Sequence, residues 1–102
     1  MKSELLKGNL ELLLLAVLAN EPRHGYAVIE ELRRRGGFDL PEGTVYPALH
    51  RLEATGLVTS TWSRESGRRR RVYSLTRGGR RELASLRETW RGFNDAVAAV
   101  VA

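Results

Sequence analysis

The chain has no cysteine, which excludes disulfides, thiolate zinc sites and cysteine nucleophiles together. That composition suits a reducing compartment, and a cytoplasmic location is expected. Histidine is scarce. His24 and His50 are too few for a metal cluster, so no metal or cofactor is expected, and His24 reads better as a helix-start residue than as a ligand. No hydrophobic run is long enough for a membrane. Leu12 to Ala19 falls far short of the roughly 20 apolar residues that span a bilayer. Val17-Leu18-Ala19 passes a loose cleavage rule, but Glu4 and Glu11 place acidic charge where a secretory leader is basic. Gly36-Gly37 and Gly78-Gly79 lack the other residues of a phosphate-binding loop and read as turn and helix-end glycines. No supported carboxylate pair is visible, so the chain is not expected to be an enzyme. The aromatic stacking platform of single-stranded RNA binders is missing as well.

Positive charge is what the chain has in excess. There are 17 Lys plus Arg against 12 Asp plus Glu, a net charge of +5, and the sequence pI of about 10.4 points to a nucleic-acid partner. The excess is local, with Arg33-Arg34-Arg35 in one run and Arg68-Arg69-Arg70-Arg71 in another. Such runs are either solvated surface or contacts to a polyanion. At 102 residues the chain supports one domain with a thin core, which a partner subunit would help to bury.

The patterning predicts a mainly α fold with a small β-hairpin. A first helix runs to Ala19, starting either at an Asn9 cap or earlier through Leu5 and Leu6. Leu10, Leu12, Leu13, Leu14, Leu15, Val17 and Leu18 surround it almost completely, and a helix apolar on every side needs burial on every side. Asn20-Glu21-Pro22 stops it. A second helix starts at His24-Gly25, carries Tyr26, Val28, Ile29 and Leu32 as its stripe, and ends at Gly36-Gly37. A third spans Glu42 to Ala54, with Val45, Ala48, Leu49 and Leu52 on one face and Pro47 in or near its first turn. Gly56 closes it. Leu57 to Arg64 and Arg68 to Leu75 read as strands around a Glu65-Ser66-Gly67 turn. Thr76 then caps a last helix from Arg77 to about Val101. Residues 1–76 are expected to form a winged helix-turn-helix domain, and residues 77–102 a C-terminal dimerisation helix.

Two constellations point to duplex DNA. The third helix offers Thr44, Tyr46, Pro47, His50 and Arg51 to a major groove, where arginine can bond a guanine edge. Behind it, a hairpin carrying Arg64, Arg68, Arg69, Arg70 and Arg71 suits phosphates or a minor groove. Side chains alternate along a strand, so the four consecutive arginines divide between two faces. A third constellation points to a second copy of the chain. Leu83, Leu86, Trp90, Phe93, Val97 and Val100 step alternately by three and four, as a heptad seam does. Leu12 and Leu13 of the over-apolar first helix are expected at the same interface. Trp90 and Phe93 would either fill the dimer core or line an apolar cavity for a flat hydrophobic effector. The alternative reading is a winged-helix module whose basic face meets an acidic protein.

The chain resembles the PadR-type transcriptional regulators, particularly short members with a single C-terminal helix, over nearly all its length. Asn9-Leu10-Glu11-Leu12-Leu13-Leu14-Leu15 looks like their first helix, and His24-Gly25-Tyr26 matches the start of their second. Gly43-Thr44-Val45-Tyr46-Pro47-Ala48-Leu49 is the most specific match, continued by Arg51-Leu52-Glu53 and Gly56-Leu57-Val58. Gly67 to Thr76 looks like the wing and the lead into the last helix. Pro41 and Glu42 stand where the family often has serine and proline, and Val72 replaces a frequent aromatic residue. The resemblance implies a bacterial repressor, dimeric through its first and last helices. It also implies an inverted repeat near a promoter and release by a small, often aromatic, molecule or a stress signal.

Overall fold

Leucines on every side of the first helix require neighbours on every side. In the computed structural model, which describes residues 6, 8–65 and 67–102, helix α1 (Leu10–Leu18) lies against the other three helices and one strand. Leu14, Leu15, Val17 and Leu18 are buried, Leu10, Leu12, Leu13 and Ala16 are partly covered, and only Glu11 is exposed. A single chain thus covers much of α1, more than its size suggested. Asn9 stands at the N-cap, but its side chain does not make the expected capping bond. The alternative start at Leu5 lies outside the described residues.

Helix α2 (Gly25–Gly36) begins at an N-cap His24, whose Nδ1 accepts from the Ala27 amide at 3.2 Å. It ends at Gly37, with φ of 70°, where the chain turns left-handed. Helix α3 (Glu42–Ala54) buries Val45, Ala48, Leu49 and Leu52, the expected stripe. Its N-cap, Pro41, supplies no side-chain acceptor, in keeping with the replaced family serine. Pro47 sits in the second turn rather than the first. Its ring takes the place of an amide that would have bonded the Gly43 carbonyl, so α3 lacks one interior bond.

The sheet has three strands, one more than the sequence pattern indicated. Strand β1 (Arg23–His24) pairs antiparallel with β3 (Arg68–Leu75), which pairs with β2 (Val58–Glu65), in the order β1-β3-β2. Two residues are too few to show a period. They form a strand because Val72 and Tyr73 present a free edge to them. The β2–β3 register runs from Val58↔Leu75 to Glu65↔Arg68, so residues 66 and 67 make the connection. Gly67, at φ 73°, supplies the positive dihedral of a tight hairpin. Ser66 lies outside the described residues.

Helix α4 (Arg77–Val101) starts on Thr76, whose Oγ1 accepts from the Gly79 amide at 3.0 Å and donates to the Gly56 carbonyl at 2.6 Å. Its first turn crosses the β2 approach so closely that a Cβ on Gly79 would strike the Leu57 carbonyl oxygen. Leu83, beyond it, is buried in its own chain and Leu86 is partly covered. The seam therefore divides. Its first members belong to the intrachain core, while Trp90, Phe93, Val97 and Val100 are 47%, 70%, 40% and 85% exposed.

This predicts that Gly79→Ala destabilises the fold by about 1–3 kcal/mol, because backbone cannot yield as a side chain would. Gly78→Ala, whose Cβ meets its nearest neighbour at an ordinary 3.5 Å, should be close to neutral. Urea unfolding of both variants measures the difference.

Candidate nucleic-acid interface

Burying Val45, Ala48, Leu49 and Leu52 turns the opposite side of α3 outward. Thr44, Pro47, His50 and Arg51 are all exposed there. Tyr46 is not. It is half-buried, with its ring over Gly25 so tightly that a Cβ on that glycine would meet the ring Cζ at 2.6 Å. Its pKa is raised, first by burial and then by Glu42, against the opposing influence of Arg70 and the Tyr26 backbone. Tyr46 fixes the crossing of α2 and α3, and the sequence offered no way to tell this from a base contact. The glycine of His24-Gly25-Tyr26 is thereby explained.

The two arginine runs have different fates. Arg34 bonds Glu31 through two nitrogens at 2.9 and 3.0 Å, and Arg35 and Arg23 approach the same carboxylate at 3.8 and 3.7 Å. Arg33 reaches Glu30 at 3.0 Å and Asp39 at 3.4 Å. The Arg34 hydrogen bond, above all, lowers the Glu31 pKa. The run at the end of α2 is thus neutralised on the spot. Arg64, Arg68, Arg69, Arg70 and Arg71 are all exposed, and none forms a salt bridge among the described residues. The wing run keeps its charge without a carboxylate partner, as does Arg51 on α3.

Register sorts the wing arginines. Trp62 faces Arg71 and Arg64 faces Arg69, which puts these four on one side of the hairpin. The Arg69 and Arg71 guanidinium carbons lie 4.4 and 5.1 Å from the centroid of the Trp62 ring, within cation–π range. Arg68 and Arg70 share the other side. Arg70 Nη1 lies 2.8 Å from His24 Nε2. A neutral imidazole accepts at one nitrogen only, so the ring serves either the Ala27 amide or Arg70, not both at once. Burial, then Arg70, lowers the His24 pKa, against an opposing Glu65. Trp62, Ser60, Glu53 and the partnership of His24 with Arg70 were all missed as site features in the sequence. Once the Gly67 turn fixes the register, Trp62 opposite Arg71 could have been counted out.

Two concavities flank α3. One of about 350 Å³ lies between α1 and α3 and includes Leu10, Glu11 and Arg51. The other, about 410 Å³, lies where α2 meets the start of α3, lined by Tyr26, Arg33 and Glu42 among others. Neither includes Trp90 or Phe93. Among the described residues no group of three or more His, Cys, Asp or Glu could hold a metal, and no helix is long and apolar enough to cross a membrane.

The model of the PadR-like family of transcriptional regulators matches residues 14–85. The chain belongs to this family. A PadR-family regulator from Clostridium difficile has the same fold, with a TM-score of 0.85 and 32% identity over 93% of this chain and all of that one. One from Eggerthella lenta gives 0.86 and 33% over 97% and 87% of the two chains, and a PadR-like regulator from Bacillus cereus gives 0.88 and 28% over 96% of each. A transcriptional regulator of Mycobacterium tuberculosis is 46% identical over 65 residues, a match spanning 64% of this chain and 60% of that relative. The PadR-like match includes the second and third helices and the wing, where the two basic features differ so sharply.

The depressed His24 pKa has a consequence for stability. A neutral folded imidazole means that the unfolded chain binds protons first, so stability is full above the usual value of 6.5 and declines as pH falls below it. Arg70→Ala should raise the His24 pKa, because it removes a repelling cation, and should shrink that decline. Imidazole proton shifts followed by NMR through a pH titration measure the change. An unaltered midpoint would show that Arg70 does not act on the ring.

Proposed function

We propose that the protein is a sequence-specific, double-stranded DNA-binding repressor that acts as a homodimer on an inverted repeat. The observation that carries the reading is one surface. An amphipathic α3 with Thr44, Pro47, His50 and Arg51 outward packs beside a hairpin whose arginines have no carboxylate partners. In this reading α3 enters the major groove, with Arg51 and His50 on base edges and Thr44 on a phosphate or a thymine methyl. Tyr46 positions the helix from beneath. The wing supplies charge to phosphates, which raises affinity without regard to sequence.

Support for the dimer comes from α4. Trp90, Phe93, Val97 and Val100 form an exposed apolar seam on a helix of 25 residues, which extends about 37 Å. A second copy would cover it, and partly covered Leu12 and Leu13 on α1 would adjoin the same interface. Leu83 and Leu86 anchor the helix to its own core. Residues 1–76 would then bind DNA while residues 77–102 set the spacing of two half-sites. Trp90 and Phe93 would line a cavity completed by the partner, suited to a flat hydrophobic effector. Such a molecule would release DNA only by favouring one arrangement of the two heads.

Selection of bound duplexes from a random pool tests the reading, and a palindromic consensus is the expected result. Binding confined to an acidic protein, with no preference among duplexes, would replace it by a protein-interaction module. Arg51→Ala or His50→Ala should lower binding to the selected duplex more than to random duplex, by about 1–3 kcal/mol for a lost bidentate contact. Val97→Asp should sediment as a monomer, since it sets an unpaired charge in the seam; a variant that remains dimeric would remove the seam as the interface.

A further inference from the structure

Arg71 differs from the rest of its run. Its Nε donates to Ser60 Oγ at 2.7 Å, and Ser60 Oγ donates to Glu53 Oε2 at 2.7 Å. Its guanidinium also lies over the Trp62 ring. Glu53 belongs to α3, Ser60 and Trp62 to β2, and Arg71 to β3, so the bonds cross three elements. We propose that Arg71 is a positioning residue that locks the wing to α3 through Ser60 and Glu53, leaving Arg64 and Arg68 as the wing's phosphate contacts.

Three considerations lead there. A guanidinium that donates to a hydroxyl backed by a carboxylate has both orientation and part of its charge already committed. The side chains of Arg64 and Arg68 have no hydrogen bond, ion pair or ring contact among the described residues. Glu53 otherwise has no place on a groove helix, where its charge would repel phosphates; as the acceptor for Ser60 it has one. The arrangement matters because α3 and the wing would engage one duplex together. Two contacts held at a fixed angle bind with a smaller ordering cost than two that must first be aligned.

The proposal rests on the DNA-binding reading for its purpose, though not for the link itself. Ser60→Ala removes both bonds and no charge. It should weaken binding to the selected duplex about fivefold, the effect of one hydrogen bond, without changing the dependence of log affinity on log salt. Arg71→Ala should do the same, and the double variant should lose no more than either. Arg68→Ala should instead make the salt slope shallower by roughly one unit. If Arg71→Ala flattens the slope by that amount and Ser60→Ala binds as wild type, Arg71 is a phosphate contact and the proposal is overturned. A second measurement needs no DNA. Amide hydrogen exchange across Thr59 to Ser63 should quicken severalfold in Ser60→Ala and Glu53→Ala, while Glu53→Gln, which keeps an acceptor oxygen, should stay near wild type. Unchanged exchange in all three shows that the bonds hold nothing, and the link fails. Quickened exchange in Ser60→Ala and Glu53→Ala, when the wild-type protein binds no duplex, upholds the link and overturns the DNA-binding reading instead.

Discussion

Burial of α1 is the constraint on which the rest of the structure depends. Leu14, Leu15 and Leu18 have almost no solvent exposure, and each such side chain contributes about 1.5–3 kcal/mol of transfer free energy. A domain of this size has a net stability of only about 5–15 kcal/mol, so these leucines carry a large share of it. Because α1 touches α2, α3, α4 and β3, it refers the candidate reading helix and the exposed apolar helix to one support. A displacement of α1 would alter the angle between the outward face of α3 and the seam.

Upon that support, electrostatics choose between two surfaces of similar composition. In a helix, side chains three and four residues apart are neighbours, so Glu30 and Glu31 lie within reach of Arg33, Arg34 and Arg35. In a strand the neighbours lie across the sheet instead. Arg69 and Arg71 meet Trp62, and Arg70 meets His24. An aromatic face and an imidazole orient a guanidinium without neutralising it. The wing therefore keeps a positive field and holds Arg69, Arg70 and Arg71 in order, both of which favour a polyanion. Surface charge pairs of the α2 kind add little to stability, so their main consequence is to leave that surface electrically quiet.

Glycines admit close neighbours at places the sequence marks only in part. Gly25 lies beneath Tyr46, and Gly79 lies against the Leu57 carbonyl. Both glycines stand next to features that were legible, a helix start and the Thr76 cap. That each exists to admit one particular neighbour follows only from how α2 crosses α3 and how α4 crosses the approach to β2.

The sequence by itself determined the four helices, the hairpin and the core stripe of α3, because helix and strand periods and turn dihedrals are local properties. It determined the split of the wing arginines between two faces for the same reason. Tertiary structure decided what those faces meet. The strand at Arg23–His24 exists only because β3 offers an edge. Tyr46 became a packing residue, Leu83 joined the intrachain core, and Glu53, Ser60 and Arg71 came together across three elements. Each of these depends on contacts between residues far apart in the chain, whose geometry is set by packing and strand register rather than by any pattern along the sequence.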